Sequence, residues 1–262
     1  MCIEVDSGYL LTPLAKLECV RDTFANQLHG HEIKGTLIVA PEGLNWSLSG
    51  LPPALAHFAT ILHDMNLPGT VRSTRTRAAS QPFSKLKLRV RAELVTSGLD
   101  FASLPSEQGM HLAPEDFNEL IERPGTRLID VRNRYEIEIG TFPGAESPET
   151  ENFTEFQSFV EETLEDADKS TPLALCCTGG IRCERASQLL LRCGFKEVYQ
   201  LDGGILAYLQ RLPFKRQRFT GECFVFDGRV SLTRDLARGS FDLNGAEIVR
   251  ATPARAPAKP TP

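Results

Sequence analysis

The 262-residue chain lacks several features that would identify its class at once. No apolar run approaches the roughly 20 residues that a membrane-spanning helix needs, and no contact with a membrane is expected. The N-terminus has neither the basic segment nor the cleavage pattern of a secretory signal, so we expect a cytoplasmic protein. The formal net charge is -5, which excludes a uniformly basic nucleic-acid binder and leaves only a local basic patch for such a role.

The cysteine pattern contains no Cys-x-x-Cys pair. There are seven cysteines, an odd number, and their scattered spacing gives no disulfide framework. The five histidines all precede Cys176 and have no zinc-ligand spacing, so we expect no metal site. No flavin, haem or iron motif is visible, and no bound cofactor is evident. Reduced thiols in a reducing compartment agree with this distribution.

What is present is a chain of 41% apolar residues, long enough for two ordinary domains. The first, at residues 1–100, is predicted to consist of a strand at 3–11, a helix at 14–28, strands at 35–40 and 44–48, a helix at 53–67 and a strand at 71–76. The order βαββαβ predicts a ferredoxin-like (acylphosphatase-like) α+β domain.

The second domain, at residues 110–213, alternates short apolar strands with amphipathic helices, which predicts a doubly wound parallel sheet of the rhodanese-like α/β type. The run Leu173-Ala174-Leu175-Cys176 is uninterruptedly apolar, as in a strand covered on both faces. Residues 214–262 are expected to form a short hairpin between 221 and 232 and then a disordered Pro/Ala tail.

A basic segment precedes the junction of the two domains. Between positions 72 and 91 there are several cations and no acid. Period-two alternation with apolar residues places four of the cations on one face of a strand: Lys85, Lys87, Arg89 and Arg91. Two interpretations stay open: the solvated face of an edge strand, where lysine discourages aggregation, or a stripe that contacts RNA phosphates.

A cysteine stands where parallel α/β sheets bind ligands, directly after the apolar strand. It opens a six-residue loop: Cys177, Thr178, Gly179, Gly180, Ile181 and Arg182. The two glycines allow successive N–H groups to point inward, and the helix that follows adds its positive end. These groups and the Arg182 guanidinium stabilise a thiolate, so we predict that Cys177 is the reactive group and has a lowered pKa.

The loop size separates two chemistries. Cysteine phosphatases need five residues between cysteine and arginine, whereas four separate Cys177 from Arg182. The smaller ring suits a sulfur atom or a compact adduct better than a phosphate, so a phosphatase is disfavoured. Cys183 lies in the first turn of the next helix, and packing explains it more simply than a role as a resolving thiol.

Charged residues follow a second strand of the same predicted sheet. Asp130 is expected to support the site, either by capping the next helix or by binding loop N–H groups. For Arg132 two positions stay open: an ion pair with Glu136 on that helix, or a place in the pocket.

Taken together, these motifs resemble rhodanese domains, in segments 130–136, 140–145, 177–184 and 200–205. More narrowly, the octapeptide Cys-Thr-Gly-Gly-Ile-Arg-Cys-Glu at 177–184 resembles the oxygen-dependent tRNA uridine(34) hydroxylase family. Further segments that fit this family are 35–37, 41–45, 85–87, 93–96 and 221–227.

The resemblance implies an enzyme that converts the wobble uridine of tRNA to 5-hydroxyuridine, with molecular oxygen and an unknown electron donor as co-substrates. It also implies that Cys177 is the catalytic cysteine of this enzyme. In our hypothesis the thiolate adds to C6 of uracil, Arg182 and the loop N–H groups stabilise the enolate, and the basic strand holds the anticodon backbone. Two alternatives stay open: a sulfurtransferase that carries a persulfide on Cys177 and serves a sulfur donor or acceptor protein, and a non-enzymatic binding module.

Overall fold

The computed structural model describes residues 2–99, 104, 107–244 and 247–250. Two larger sheets organise these residues, one in each half of the chain. No helix in these ranges is long and apolar enough to cross a membrane. The Pro/Ala tail at 251–262, predicted to be disordered, lies outside the described residues.

The first half of the chain forms a five-stranded sheet in the order β4-β1-β3-β2-β5. Its elements are β1 (Ile3–Leu11), α1 (Leu17–Leu28), β2 (Lys34–Ala40), β3 (Gly43–Gly50), α2 (Pro52–Asp64), β4 (Arg72–Ala78) and β5 (Leu86–Val90). The predicted βαββαβ order is confirmed. The basic segment supplies a fifth strand, because β5 pairs in parallel with β2 and forms one edge of the sheet.

The two helices of this domain are shorter than their apolar spacing predicts. Helix α1 begins at Leu17 rather than at residue 14, because Lys16 has a left-handed φ of 52°. Helix α2 ends at Asp64 rather than at residue 67, and Asn66 just beyond it has φ of 45°. A left-handed residue cannot continue a right-handed helix, so each helix is confined to one side of such a position.

Both faces of strand β1 are covered, and its buried polar side chains have hydrogen-bond partners on each face. On one face Asp6 is buried and accepts hydrogen bonds from Trp46 Nε1 and Arg75 Nε, each at 2.8 Å. On the other face Tyr9 donates a 2.6 Å hydrogen bond to Glu184 of the second domain. Buried polar groups need such partners, so the polar residues of β1 indicate contacts on both of its faces.

The second half of the chain forms a parallel sheet of four strands in the order β6-β10-β9-β7. Its elements are β6 (Met110–Leu112), α3 (Pro114–Glu122), β7 (Arg127–Asp130), α4 (Arg134–Ile137), β8 (Gly140–Thr141), α5 (Phe156–Leu164), β9 (Leu173–Cys176), α6 (Ile181–Arg192), β10 (Val198–Leu201) and α7 (Gly204–Arg211). The predicted rhodanese-like doubly wound arrangement is confirmed.

Both faces of this sheet are packed, as β9 demonstrates. Leu173 and Leu175 belong to the apolar cluster on one face, whereas Ala174 and Cys176 belong to the cluster on the other. Alternate side chains of a strand point to opposite faces, so a strand that is apolar throughout must be covered twice.

The chain continues with short strands, namely β11 (Thr220–Gly221), β12 (Cys223–Phe224), β13 (Ser231–Leu232), β14 (Phe241–Asn244) and β15 (Glu247–Arg250). The predicted hairpin is present as β12 paired with β13. A second hairpin, β14 with β15, was not expected from the sequence.

The interface between the two domains is polar. Arg72 of β4 pairs with Asp202, and Arg185 of α6 pairs with Glu42. Glu184, which receives the Tyr9 hydroxyl, is only 1% exposed. Helix α6 therefore contacts the first domain directly, and this is the helix that follows the cysteine loop.

Candidate active site

Cys177 lies immediately after β9, at the carboxyl edge of the parallel sheet. Its side chain is 0% exposed, and the backbone N–H of Gly180 donates to its Sγ at 3.1 Å. Gly180 is the residue before α6 and has φ of 100°, a conformation that side-chain-bearing residues rarely adopt. The glycine thus allows the loop to close around the sulfur.

The thiol of Cys177 is unusually acidic. Burial raises its pKa, but the hydrogen bond from the Cys183 thiol, the charge of Arg182 and the N–H groups of Cys183 and Gly180 outweigh burial and lower the pKa to about 6. At neutral pH the sulfur is therefore mostly thiolate, the nucleophilic form. This agrees with the lowered pKa that the sequence predicts.

The adjacent Cys176 has the opposite character although it is equally buried, at 0% exposed. Burial raises the pKa of its thiol well above the ordinary value. Its side chain packs with Ala174 and Leu201 in the cluster on the far face of the sheet. Two consecutive cysteines, the last residue of β9 and the residue after it, thus differ in role: the first packs and the second is ionised.

Cys183 combines packing with a contact to the reactive sulfur. It is 0% exposed and belongs to the same apolar cluster as Cys177. Burial and its hydrogen bond to Cys177 both raise the pKa of the Cys183 thiol well above the ordinary value, so it stays protonated and donates. The structure therefore supports packing, as predicted, and adds the role of a hydrogen-bond donor.

Arg182 is held by a carboxylate rather than left free in the pocket. Its two terminal nitrogens donate to Glu136 at 2.8 and 2.7 Å, and Nη2 also lies 3.3 Å from Thr178 Oγ1. Burial of the guanidinium lowers its pKa, but the Glu136 carboxylate outweighs this and raises the pKa above the ordinary value. Arg182 therefore fixes the loop, and its positive charge lowers the pKa of the Cys177 thiol.

Asp130 and Arg132 form a second buried ion pair, which decides between alternatives that the sequence left open. Arg132 is 0% exposed, and its Nε and Nη2 donate to Asp130 at 2.8 and 2.6 Å. Of the two positions left open for Arg132, the ion pair with Glu136 is not formed, because Glu136 binds Arg182 instead. Asp130 also accepts from the backbone N–H of Arg132 at 3.3 Å and from Thr141 Oγ1 at 2.7 Å. Of the two roles expected for Asp130, the structure therefore shows binding of a backbone N–H after β7, and it shows no side-chain cap on α4.

The loop is completed by a second glycine turn. The N–H groups of Ile205 and Leu206 donate to the carbonyls of Cys177 and Thr178, at 2.9 and 3.1 Å. A Cβ on Gly204 would lie 2.6 Å from the Cys177 carbonyl oxygen. Only glycine permits this approach, so the start of α7 is part of the site's scaffold.

Sequence reasoning missed Glu136 as the partner of Arg182, and it missed Tyr9 and Glu184 altogether. The partners are separated by 46 and 175 positions, so no local spacing connects them. The polarity of β1 was the available indication, since a polar residue on a strand that becomes buried needs a distant partner.

The four predicted RNA-binding cations lie elsewhere, along the edge strand. Lys85, Lys87, Arg89 and Arg91 are all exposed, while Leu86, Leu88 and Val90 pack against the apolar core of the first domain. The cations and the apolar residues therefore lie on opposite faces of β5, as the period-two alternation predicts. Whether the exposed face binds RNA stays a prediction.

Comparisons with known proteins agree in both domains. Residues 3–94 match the UPF0176 acylphosphatase like domain, and residues 113–211 match the Rhodanese-like domain. A tRNA uridine(34) hydroxylase from Teredinibacter turnerae is 40% identical over 90% of this chain and 73% of its own length. One from Nitrobacter winogradskyi is 40% identical over 89% of this chain and 93% of its own length.

Among solved structures, a rhodanese-like domain from Anabaena is 18% identical, covers 55% of this chain and 95% of its own, and has a TM-score of 0.36. The fold and the cysteine loop define a class of two-domain proteins that join an acylphosphatase-like domain to a rhodanese-like domain. Within that class the two relatives at 40% identity are decisive. The chain belongs to the tRNA uridine(34) hydroxylase family.

Proposed function

We propose that this protein is a tRNA-modifying oxidoreductase that hydroxylates the wobble uridine to 5-hydroxyuridine, with Cys177 as the attacking group. The observation that carries the role of Cys177 is its thiol pKa of about 6 inside an intact rhodanese-type loop. The names of two relatives that share 40% of its residues support the substrate.

The first chemical step uses the thiolate. Its sulfur adds to C6 of the uracil ring, which makes C5 electron-rich and moves negative charge toward the ring carbonyl oxygen. The positive end of α6 and the inward N–H groups of its preceding loop stabilise that charge. Because two Arg182 nitrogens already bind Glu136, we assign Arg182 a supporting role through its charge and its hold on the loop.

The second step consumes molecular oxygen. One oxygen atom of O2 becomes the C5 hydroxyl, and the other leaves as water after uptake of two electrons and two protons. We assign the electrons to an external two-electron reductant of the dithiol class. Loss of the C5 proton and release of Cys177 from C6 then restore the aromatic ring and the free thiolate.

Binding of tRNA is assigned to the exposed cations on the edge strand: Lys85, Lys87, Arg89 and Arg91. They lie on the domain whose Tyr9 and Arg72 contact the rhodanese domain, so a bound anticodon backbone can reach both. A wobble base must leave its stack to meet a buried sulfur, which the single-stranded anticodon region permits. We place the reaction in the cytoplasm, where tRNA is found.

The deciding experiment is nucleoside mass spectrometry of tRNA from a host without this gene, restored with wild type or with Cys177→Ala. We expect 5-hydroxyuridine and its derivatives to vanish on deletion and to return only with wild type. Unchanged levels on deletion would refute the hydroxylase assignment. Full restoration by Cys177→Ala would refute the role of the thiolate while leaving the activity intact.

Sulfur transfer is the second candidate, and the closed loop around the Cys177 sulfur favours it specifically. In that reaction the thiolate takes the outer sulfur of thiosulfate, releases sulfite and becomes a persulfide. Rapid sulfite release together with a stable persulfide adduct on Cys177 would support it. Formation of 5-hydroxyuridine without detectable release of sulfite would exclude sulfur transfer as the main activity.

A further inference from the structure

An exposed aromatic ring stands beside the cysteine loop. Phe226 is 59% exposed, whereas Cys177 is 0% exposed. The guanidinium carbon of Arg182 lies 5.6 Å from the centre of the Phe226 ring. Arg182 in turn contacts Thr178, the residue after the reactive cysteine. Phe226 therefore lies at the rim of the site, in contact with the last residue of the loop that holds the sulfur.

The ring is supported by a series of aromatic contacts. Phe226 meets Phe224 edge to face, with centroids 5.0 Å apart, and Phe224 meets Tyr135 in the same way at 5.3 Å. Phe224 itself is only 7% exposed. A ring held by its edge against a buried neighbour keeps its orientation, so its exposed area is presented at low entropic cost.

The loop that carries Phe226 is also fastened to the first domain. Asp227 and Arg229 form a buried ion pair at 2.6 Å, and Arg229 donates to Thr76 Oγ1 at 2.8 Å. The N–H of Gly228 donates to the carbonyl of Pro82 at 3.1 Å. Pro82 lies just before β5, so the loop connects the cysteine site to the segment that carries the cations.

We propose that Phe226 is a stacking platform for the nucleobase adjacent to the target uridine in the single-stranded anticodon loop. This inference rests on the proposed function and deepens it. Bases that leave the RNA stack commonly settle on aromatic side chains, whatever their identity, because every base has a flat apolar face.

The geometry favours the neighbouring base over the target itself. The target ring must approach a sulfur that is fully buried, while the ring of Phe226 is mostly in solvent. Arg182 covers one side of Phe226, which leaves the remaining ring surface for a base. A base there would complete a stack of guanidinium, phenyl ring and nucleobase while the target continues inward.

A matched control is present in the same chain. Phe214 is 58% exposed and also lies against an arginine, with the Arg234 guanidinium carbon 4.1 Å from its ring centre. It lies in the short helical turn Phe214–Arg216 after α7, on a different segment from the Phe226 loop. The two phenylalanines share exposure and a cationic neighbour and differ in their contact with the cysteine loop.

The first measurement is fluorescence of Phe226→Trp and Phe214→Trp, titrated with a short anticodon stem-loop RNA that has uridine at the wobble position. Trp46 is buried and gives a constant background. We expect saturable quenching at position 226 and none at 214. An abasic nucleotide beside the wobble position should abolish the quenching, whereas one at the wobble position should leave it.

The second measurement is steady-state hydroxylation of the same RNA. We expect Phe226→Ala to raise KM roughly 5- to 150-fold, the range for loss of one stacked base, with kcat changed by less than about threefold. Phe226→Tyr should restore KM, and Phe214→Ala should leave it unchanged. The split between KM and kcat separates a binding platform from a residue that merely shapes the loop.

Failure of this inference and of the proposed function give different results. If wild type forms no 5-hydroxyuridine with oxygen and a dithiol, the proposed function fails, and quenching of Phe226→Trp still reports stacking. If wild type is active but Phe226→Ala has an unchanged KM, the inference is overturned. Quenching that disappears only with an abasic wobble position would overturn it as well, since the target would then occupy the ring.

Discussion

Positive charge is arranged in opposite ways in the two domains. In the rhodanese-like domain the arginines next to Cys177 are buried and paired: Arg182 with Glu136, and Arg132 with Asp130. Along β5 the four cations are exposed. The ion pairs formed within the described residues include none of these four side chains.

This difference separates two uses of charge. A buried guanidinium that faces a carboxylate orders a loop and shifts a nearby pKa, and salt hardly reaches it. An exposed cation keeps its hydration and exchanges it for a phosphate when RNA arrives, releasing counterions. We therefore expect changes near Cys177 to alter chemistry and stability, and changes along β5 to alter affinity and its dependence on salt.

The largest effect is expected from Cys177→Ala, with Cys176→Ala as its neighbour control. The first removes the thiolate, so kcat should fall by about 10³-fold or more, while the unfolding transition stays cooperative. The second removes a packing thiol on the far face of the sheet, so kcat should change by less than about threefold. Comparable losses in both variants would show that the site depends on packing rather than on the ionised sulfur.

Removal of one partner from the buried pair comes next. Glu136→Gln leaves the Arg182 guanidinium buried without its carboxylate, which typically costs about 3–5 kcal/mol in the free energy of unfolding. The control is Glu138→Gln in the same segment, because its pair with Arg134 is about half exposed and is worth less than about 1 kcal/mol. Urea denaturation measures both. Equal small losses would show that Arg182 is not held as the structure indicates.

The sequence predicted the elements and the cysteine loop well, because their causes are local. An uninterrupted apolar run identifies β9, and Gly179 and Gly180 after it mark a loop that folds inward. It could not predict which charges pair. Glu136 lies only four positions from Arg132 yet binds Arg182, which is 46 positions away, while Arg132 pairs with Asp130.

Domain contacts were equally out of reach of the sequence. The hydrogen bond from Tyr9 to Glu184 joins positions 175 residues apart, and its formation depends on how the two sheets pack. Exposure is a similar case: nothing local distinguishes Phe226, which faces solvent, from Phe224, which is buried two residues earlier. Long-range packing decides both, and period-two alternation alone leaves the choice of face open.

A weaker effect is expected from the edge strand. Lys85→Ala with Lys87→Ala should weaken binding of the anticodon stem-loop about tenfold at low salt, since each cation removed gives up one phosphate contact. The slope of log Kd against log salt concentration should fall by about 1.4, or 0.7 for each contact. Lys196→Ala with Lys215→Ala removes the same charge from other exposed positions and should leave the slope unchanged. Equal slopes in both variants would favour the edge-strand explanation over RNA contact.

The smallest and most specific effect concerns Cys183. Its thiol donates to the Cys177 sulfur, so Cys183→Ala should raise the pKa of Cys177 above its value of about 6, by roughly one unit for one hydrogen bond to a charged group. Cys183→Ser keeps a donor of similar size and should retain the low pKa. The pKa is read from thiolate absorbance, as the difference between each variant and the same variant with Cys177→Ala.

The sign of the activity change follows from the thiolate being the active form. A higher Cys177 pKa moves the acidic limb of kcat/KM upward in pH, so Cys183→Ala should lose activity near pH 6 and match wild type near pH 8.5. Stability is linked in the same sense, because a depressed thiol pKa stabilises the fold at high pH and this contribution is lost as pH falls through about 6. A uniform loss of activity at every pH in Cys183→Ala, with Cys183→Ser equally impaired, would reduce Cys183 to a packing residue.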